Sequence, residues 1–187
     1  MNSKEKEIIQ KESTSLGDCD IHAYLPKARI MEYSDLSKYK DIHQLIKNPK
    51  DYFILLYEDA NINGCASGHW ACVFIDKNHN INFFESYGSA PDTQLEWVNQ
   101  TQLKLLGVCD TYLTNLFNKA PEKIIYSSIK YQNDSKSMAT CGRHVLNVLL
   151  NVINNNMTLD DYYIYMKNLK NRYNKNYDYI VTNLINI

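Results

Sequence analysis

Cys141 has the sequence surroundings of a reactive thiol. It joins a loop of small and polar residues, 131–140, to a strongly apolar segment, 145–153. Apolar residues lie nearly all round a helix drawn on that segment, which indicates a helix buried at the centre of the domain. At its start, unpaired backbone N–H groups and the positive end of the helix dipole favour a thiolate. The alternative is a cysteine that only packs, as most free cysteines do.

His69 is a candidate base if an acid can reach it. It precedes an apolar strand, 70–75, and a polar turn separates that strand from another, 81–85. If the two strands pair antiparallel with Ala71 facing Glu85, His69 lies one diagonal step from Glu85 on the same face. A slip of one residue would turn Glu85 to the opposite face, so the interpretation requires an odd-length loop or a bulge. The alternative is a structural strand histidine beside a solvated strand end.

Two other arrangements use the same residue types. Cys65, His69 and Cys72 lie close together in the sequence, and zinc favours such ligands. Their spacing matches no structural zinc pattern, and residues 69 and 72 point to opposite faces of a strand, so no metal or other cofactor is expected. His144 lies one helical turn beyond Cys141 and could act as the base. A residue inside a buried helix is poorly placed for that role.

Composition limits the class of protein. With 187 residues, 44% of them hydrophobic, and a net charge of -1, the chain predicts one soluble globular domain with no general affinity for nucleic acid or membrane. No apolar run approaches the roughly 20 residues that cross a bilayer. The first residues lack the apolar core of a signal peptide, which predicts a reducing compartment. Five irregularly spaced cysteines argue against a disulfide framework, and those other than Cys141 are expected to pack as free thiols.

The elements that must position these residues follow from periodicity and turn signals. Residues 1–15 are charged and predict a flexible N-terminal segment, while 16–187 predict a single domain. Ser34 is a candidate N-cap for a helix that Pro49 closes. Thr158 begins a capping box before a tyrosine-rich helix, and a last helix ends near Leu184. The remaining predictions are strands at 52–57, 70–75, 81–85 and 123–131, and helices at 91–106 and 110–118.

Four short motifs in a fixed order resemble the adenovirus-type (adenain-like) maturation proteases, of the kind found in virophages, Polinton-like elements and large DNA viruses. They are Gly-His69-Trp, Phe-Phe-Glu85-Ser-Tyr-Gly, Gln132, and Ser-Met-Ala-Thr-Cys141-Gly. SUMO- and ubiquitin-like deconjugating proteases share the order, whereas papain-type enzymes place the cysteine first. The resemblance covers residues 34–153. The chain departs from it in a longer interval between Gln132 and Cys141, which bears on the oxyanion assignment.

The resemblance implies an α+β fold of the adenain/Ulp type, in which a central helix bearing the nucleophile packs on a mostly antiparallel sheet with peripheral helices. It implies Cys141 as nucleophile, His69 as general base and Glu85 as the acid that orients the histidine. The oxyanion would be bound by the Cys141 backbone N–H and the Gln132 amide. If Gln132 is out of reach, Asn133 or another backbone N–H would replace it.

Three functions remain open at this stage. The leading expectation is a cysteine endopeptidase that processes viral capsid or other structural precursors during virion maturation. It would work in the host cell cytoplasm, at the virus factory, and in the virion interior, with protein substrates and no membrane. Adenovirus-type enzymes can use a peptide or DNA activator, which no residue here demands. The alternatives are a ubiquitin-like-protein deconjugating protease, or an acetyltransferase with the same triad order, and a non-enzymatic scaffold that kept the fold.

Overall fold

The chain folds as an α+β structure around a mixed sheet. A computed structural model describes residues 3–62, 64–97, 100–105, 108, 110–135 and 137–187. Within those residues the sheet has five strands in the order β1-β2-β3-β4-β5. They are β1 (Ile30–Glu32), β2 (Tyr52–Ile62), β3 (Cys65–Ile75), β4 (Ile81–Glu85) and β5 (Ile124–Tyr126).

The sheet is mixed, with antiparallel pairing among its three longest strands, as the sequence-based expectation had it, and parallel pairing at both short edge strands. The central strands β2, β3 and β4 pair antiparallel, but β1 pairs parallel to β2 and β5 parallel to β4. Parallel neighbours need a long crossover, and both edge strands have one, through residues 33–51 and 86–123. The short edge strands therefore make the sheet mixed.

Helices cover both faces of this sheet. They are α1 (Ser3–Glu12), α2 (Asp18–Tyr24), α3 (Gln100–Leu105), α4 (Tyr112–Phe117), α5 (Cys141–Asn155), α6 (Leu159–Tyr173) and α7 (Tyr177–Leu184), with 3-10 helices at Tyr33–Lys38, Ile42–Gln44 and Thr93–Trp97. Alternation along β3 divides the core: Trp70 and Phe74 pack against α5, α6 and α7, whereas Val73 faces α4 and the 3-10 helices. Helix α5 is buried along nearly its whole length, as its apolar pattern predicted.

Local capping explains where a predicted helix was wrong. The segment expected to form one helix from Ser34 to Pro49 forms two 3-10 helices instead. The Asp41 side chain accepts the His43 N–H at 2.8 Å, and the Gln44 side chain accepts the N–H of Lys40 at 2.8 Å. These bonds stop one helical turn and start the next. The apolar positions still reach the core because turns of either kind keep them on one side.

Other boundaries also differ from the sequence-based predictions. The helix expected at 91–106 is represented by the 3-10 helix Thr93–Trp97 and by α3, while residues 98, 99 and 106 lie outside the described residues. The strand expected at 123–131 is only β5, at Ile124–Tyr126. Thr158 does cap α6, since its hydroxyl accepts the Asp161 N–H at 3.1 Å. Within the described residues, no helix combines the length and apolar character needed to cross a membrane.

The N-terminal segment, for which the sequence predicts flexibility, contains helix α1 and makes long-range contacts. Helix α1 lies against α7, and Ile8 is 3% exposed. Glu5 forms an ion pair with Lys175 at 3.0 Å. Charged residues on the outer face of α1 gave the segment its polar composition, while one apolar position and long-range contacts hold it in place.

The expectation of free cysteines is wrong for two of them. Cys19 in α2 and Cys65 at the start of β3 form a disulfide, with a Cα–Cα distance of 5.8 Å. They are separated by 46 residues, so spacing in the sequence gave no sign of the pairing. Cys72 is a buried free thiol, as expected, and Cys109 lies outside the described residues.

Candidate active site

The β3–β4 hairpin has the register that the histidine–acid interpretation required. Ala71 pairs with Glu85 and Ile75 with Ile81, across a five-residue loop, 76–80. The Asp76 carboxylate accepts backbone N–H groups inside the loop, and His79 takes a positive φ of 62°. The odd loop length keeps His69 and Glu85 on the same face of the sheet. This geometric prediction is confirmed.

His69 and Glu85 form a close, buried ion pair. The His69 Nε2 atom lies 2.7 Å from Glu85 Oε1, and the Glu85 side chain is fully buried. The chain beyond β4 fixes the carboxylate, because the N–H groups of Tyr87 and Ser89 donate to Oε1 and Oε2 at 2.9 and 3.1 Å. Because Nε2 faces the acid, Nδ1 is the ring nitrogen that would exchange a proton with a reacting group.

The pair changes the acidity of both residues. Burial disfavours the charged histidine, but hydrogen bonds to Cys141 and Glu85 outweigh it and raise the pKa of His69 to about 9. Burial disfavours the Glu85 carboxylate as well, yet the His69 hydrogen bond and charge, helped by the two backbone N–H groups, lower its pKa. At neutral pH these directions favour an imidazolium beside a carboxylate.

Tyrosine rings hold the imidazole in place. The Tyr87 ring stacks on His69 with 5.5 Å between centroids, and the Tyr57 ring lies at 6.2 Å. Tyr87 is placed by a sharp turn in which Gly88 has a φ of +73°. A Cβ at residue 88 would come within 2.9 Å of the backbone of Ser128 and Ile129, so only glycine fits there. The turn presses the 127–131 segment against the end of β4.

Cys141 is the first residue of α5, and its side chain faces the histidine strand. Its Sγ lies 3.7 Å from the Gly68 carbonyl oxygen, and the thiol is hydrogen-bonded to His69. The residue is 9% exposed, which keeps it mostly out of water. As a first-turn residue it has a backbone N–H without an intrahelical acceptor. Cysteine, histidine and glutamate thus lie together at the end of the sheet.

Gln132 lies beside the loop that leads into Cys141. Its Oε1 accepts the Ser86 hydroxyl at 2.8 Å, which orients the amide, and its Nε2 donates to the Met138 carbonyl at 3.3 Å. Met138 precedes Cys141 by three residues. The longer interval between Gln132 and Cys141 is therefore taken up by a loop that folds back on the amide.

Asp178 anchors this loop, and nothing in the sequence pointed to it. It is fully buried in α7 and accepts the Thr140 hydroxyl at 2.5 Å and the Asn133 side-chain amide at 2.6 Å. The His144 Nε2 atom lies 3.1 Å from the same carboxylate. These contacts argue against Asn133 as the oxyanion donor, because its side-chain amide donates to Asp178. They also argue against His144 as the base, because its Nε2 pairs with Asp178.

The zinc arrangement is not formed. Cys65 is oxidised in the disulfide with Cys19, and Cys72 lies in the core on the α5 side of the sheet, where burial raises its pKa. Asp18 lies within 4.8 Å of both disulfide sulfurs, but a disulfide offers no thiolate to a metal ion. His69 already pairs with Glu85.

Comparison with known proteins gives a viral relative. The chain is 35% identical over 147 residues to "Uncharacterized protein V9" of Sputnik virophage, an alignment that covers 78% of this chain and 81% of that protein. This relationship supports a viral origin for the chain. No protein-family model matches the sequence, and no solved structure matches the fold.

Proposed function

We propose that this chain, which belongs to the same family as protein V9 of Sputnik virophage, is a cysteine endopeptidase of the adenovirus type. The observation that carries the proposal is that Cys141, at the start of α5, lies against the strand that carries His69, whose Nε2 is 2.7 Å from the buried Glu85. A buried histidine with only a structural role would need neither a neighbouring thiol nor a fixed carboxylate.

The proposed reaction follows from the positions of these groups. His69 holds the Cys141 thiolate as an ion pair, the thiolate attacks the peptide carbonyl, and the imidazolium gives its proton to the leaving amine. Water, deprotonated by the same imidazole, then hydrolyses the thioester and releases the acid. Glu85 keeps the imidazole oriented and stabilises its charged form.

The oxyanion requires donors on the other side of the scissile carbonyl. The Cys141 backbone N–H supplies one, at the positive end of α5. The Gln132 amide supplies the second in this proposal, because Ser86 orients its oxygen and leaves Nε2 directed toward the nucleophile loop. A substrate oxygen would compete with the 3.3 Å bond to the Met138 carbonyl, which is a weak one.

Viral origin supports a substrate class. A virophage relative makes processing of capsid or other structural precursors the fitting task for an endopeptidase of this design. Host ubiquitin-like conjugates are a less direct target, since no feature of the described site selects a Gly-Gly tail. The proposed places of action are the host cytoplasm, where particles assemble, and the virion interior.

The test is selective labelling of Cys141. A peptidyl vinyl sulfone with small residues near its reactive end should modify Cys141 in the wild-type protein, and incubation with co-expressed virion proteins should trim one of them. Cys141→Ala and His69→Ala should each abolish trimming. Cys141→Ala should leave the unfolding midpoint nearly unchanged because it removes one sulfur atom, whereas His69→Ala should lower the midpoint because it leaves the buried Glu85 carboxylate without its partner. Cys72→Ala is the matched control: it removes another free thiol but should keep labelling and cleavage.

Trimming that continues in Cys141→Ala would end the protease proposal. Labelling that follows Cys72 instead would show that Cys141 is only a packed thiol. Unaltered labelling of Cys141 in His69→Ala would mean that the histidine does not activate it.

A further inference from the structure

The segment Glu12–Cys19, here called the strap, crosses from the nucleophile helix to the histidine strand. Its first half accepts two hydrogen bonds, one from a residue on each side of Cys141. The Ala139 N–H donates to the Glu12 carbonyl at 2.8 Å, and the Arg143 Nη1 donates to the Thr14 carbonyl at 2.6 Å. Arg143 is fully buried, so this charge-assisted bond lies inside the protein. The strap therefore fixes both ends of the turn that presents the nucleophile.

The second half of the strap is bonded to β3 near His69. The indole Nε1 of Trp70 donates to the Leu16 carbonyl at 3.0 Å, and the Ser67 hydroxyl donates to the same oxygen at 3.4 Å. Gly17 forms an isolated antiparallel bridge with Ser67. Ser67 and Trp70 flank Gly68 and His69, so the strap lies along the backbone of the proposed base.

Packing under the strap is close. A Cβ added at Gly142, directly after the nucleophile, would come within 3.1 Å of Leu16 Cβ and 3.2 Å of Trp70 Cδ1. A Cβ added at Gly17 would come within 2.8 Å of Cys65 Cβ. The helix, the strap and the strand are in contact through glycines. A shift of the strap would therefore displace both α5, which carries Cys141, and β3, which carries His69.

The Cys19–Cys65 disulfide closes the strap onto the strand that carries His69. Cys19 is exposed and Cys65 half-buried, which leaves the bond open to small thiols and disulfides. Without it, the strap is held by the buried Leu16 side chain and by a short run of hydrogen bonds. Each such bond is individually weak, and their strength depends on the strap staying in register.

We propose that Cys19–Cys65 is a redox switch that aligns Cys141 with His69, so that oxidation raises the reactivity of the nucleophile and reduction lowers it. The control of catalysis rests on the proposed protease function. In the oxidation step, two S–H bonds break and one S–S bond forms. The two electrons and two protons pass to a low-molecular-weight disulfide such as oxidised glutathione, which becomes two thiols. A dithiol reductant reverses the step.

The switch suits a protein made in a thiol-rich compartment and used later. Cytosolic glutathione keeps exposed cysteine pairs reduced, so newly made chains would hold the strap loosely. Exposure to an oxidant in the assembled or released particle would then close it. The nucleophile itself, which is 9% exposed, is better shielded from the same oxidant than Cys19.

The test compares oxidised and reduced protein with iodoacetamide as the probe of Cys141. Wild type is equilibrated with oxidised glutathione or with a phosphine reductant, desalted, and alkylated at pH 6, where an ordinary thiol is under about 1% thiolate. Modification of Cys141 is followed by peptide mass spectrometry. Cys141 in oxidised wild type should react about tenfold faster than in reduced wild type, as misplacement of a reacting group predicts. Cys19→Ser/Cys65→Ser should match reduced wild type under both conditions.

A second measurement does not depend on the nucleophile. Hydrogen exchange at the Ala139 N–H, which donates to Glu12, should accelerate about tenfold on reduction of wild type and stay constant in the double variant. This comparison within wild type stands even if the double variant fails to fold.

Equal but measurable alkylation rates of Cys141 in oxidised and reduced wild type overturn the switch, as does a redox response that the double variant shares. If exchange at Ala139 responds to reduction but Cys141 is inert in every state, the proposed nucleophile is what fails. The proposed control of catalysis by the disulfide then fails as well, although the movement of the strap does not. The exchange data thereby separate failure of the switch from failure of the protease proposal.

Discussion

Replacing Glu85 by Gln tests how the acid keeps a proton on His69. The carboxylate oxygen lies 2.7 Å from Nε2 and is fully buried, whereas burial by itself disfavours the imidazolium. A carboxylate this close raises a partner's pKa by roughly 1–3 units. Its loss should therefore bring the pKa of His69 down from about 9 by at least about one unit.

The sign of the effect on stability follows from the same shift. His69 binds its proton more tightly in the folded chain than in the unfolded chain, where its pKa is about 6.5. The resulting stabilisation is fully present below pH 6.5 and is lost as the pH rises through about 9. It amounts to about 3 kcal/mol in the intact chain. As the pH rises over that range, the unfolding free energy of the Glu85→Gln protein should fall by at least about 1.4 kcal/mol less than that of the wild-type protein.

Urea unfolding at pH 6 and pH 9.5 measures the difference, with an NMR titration of the His69 ring protons beside it. Both proteins keep Cys141, because its interaction with His69 also contributes to raising the pKa of His69 to about 9. Glu122→Gln is the matched control, because Glu122 pairs with His43 at 2.9 Å in a half-exposed setting. It should leave the His69 titration unchanged. Identical His69 midpoints with and without Glu85 would refute the assigned role of the carboxylate.

Four further substitutions address the remaining parts of the site. Gln132→Ala should lower kcat by about 10²–10³ with KM nearly constant, whereas Asn133→Ala should leave kcat nearly unchanged. A large loss of kcat in Asn133→Ala alone would show that the oxyanion donor is not Gln132. Asp178→Asn should destabilise the protein by about 2–3 kcal/mol in urea unfolding, because the new side-chain NH₂ group would face the Thr140 hydroxyl and other donors. An unchanged unfolding midpoint would show that Asp178 does not anchor the loop. Gly88→Ala should cost more than about 1 kcal/mol in thermal unfolding, since its φ of +73° and the neighbouring backbone leave no room for Cβ. Wild-type stability there would contradict that geometry.

Local patterns predicted the parts of the molecule that depend on neighbours in sequence. The buried helix followed from apolar residues all round α5, and the capping box at Thr158 from a four-residue signature. The pairing of Ala71 with Glu85 followed from strand alternation and an odd loop, which is enough to place an acid beside His69. Each of these is decided within about twenty residues of chain.

Features set by distant contacts could not be predicted in this way. The Cys19–Cys65 pairing spans 46 residues, and Asp178 reaches Thr140 across 38. The parallel edge strands depend on crossovers whose path no local period describes. The predicted helix after Ser34 failed for a different reason: side chains at Asp41 and Gln44 took backbone N–H groups that a continuous helix would need for itself.

The buried carboxylate in α7 has a consequence for the order in which the chain is synthesised. A ribosome makes Thr140 and the thiol beside it 38 residues before it makes Asp178, so the loop bearing Cys141 waits for its anchor. During that interval the hydroxyl of Thr140 and the imidazole of His144 lack the acceptor that holds them in the finished fold. A nascent chain would thus carry every residue of the proposed triad yet have no settled place for its nucleophile. Under the proposed protease function, the chain would gain its cutting activity only after Asp178 has been made.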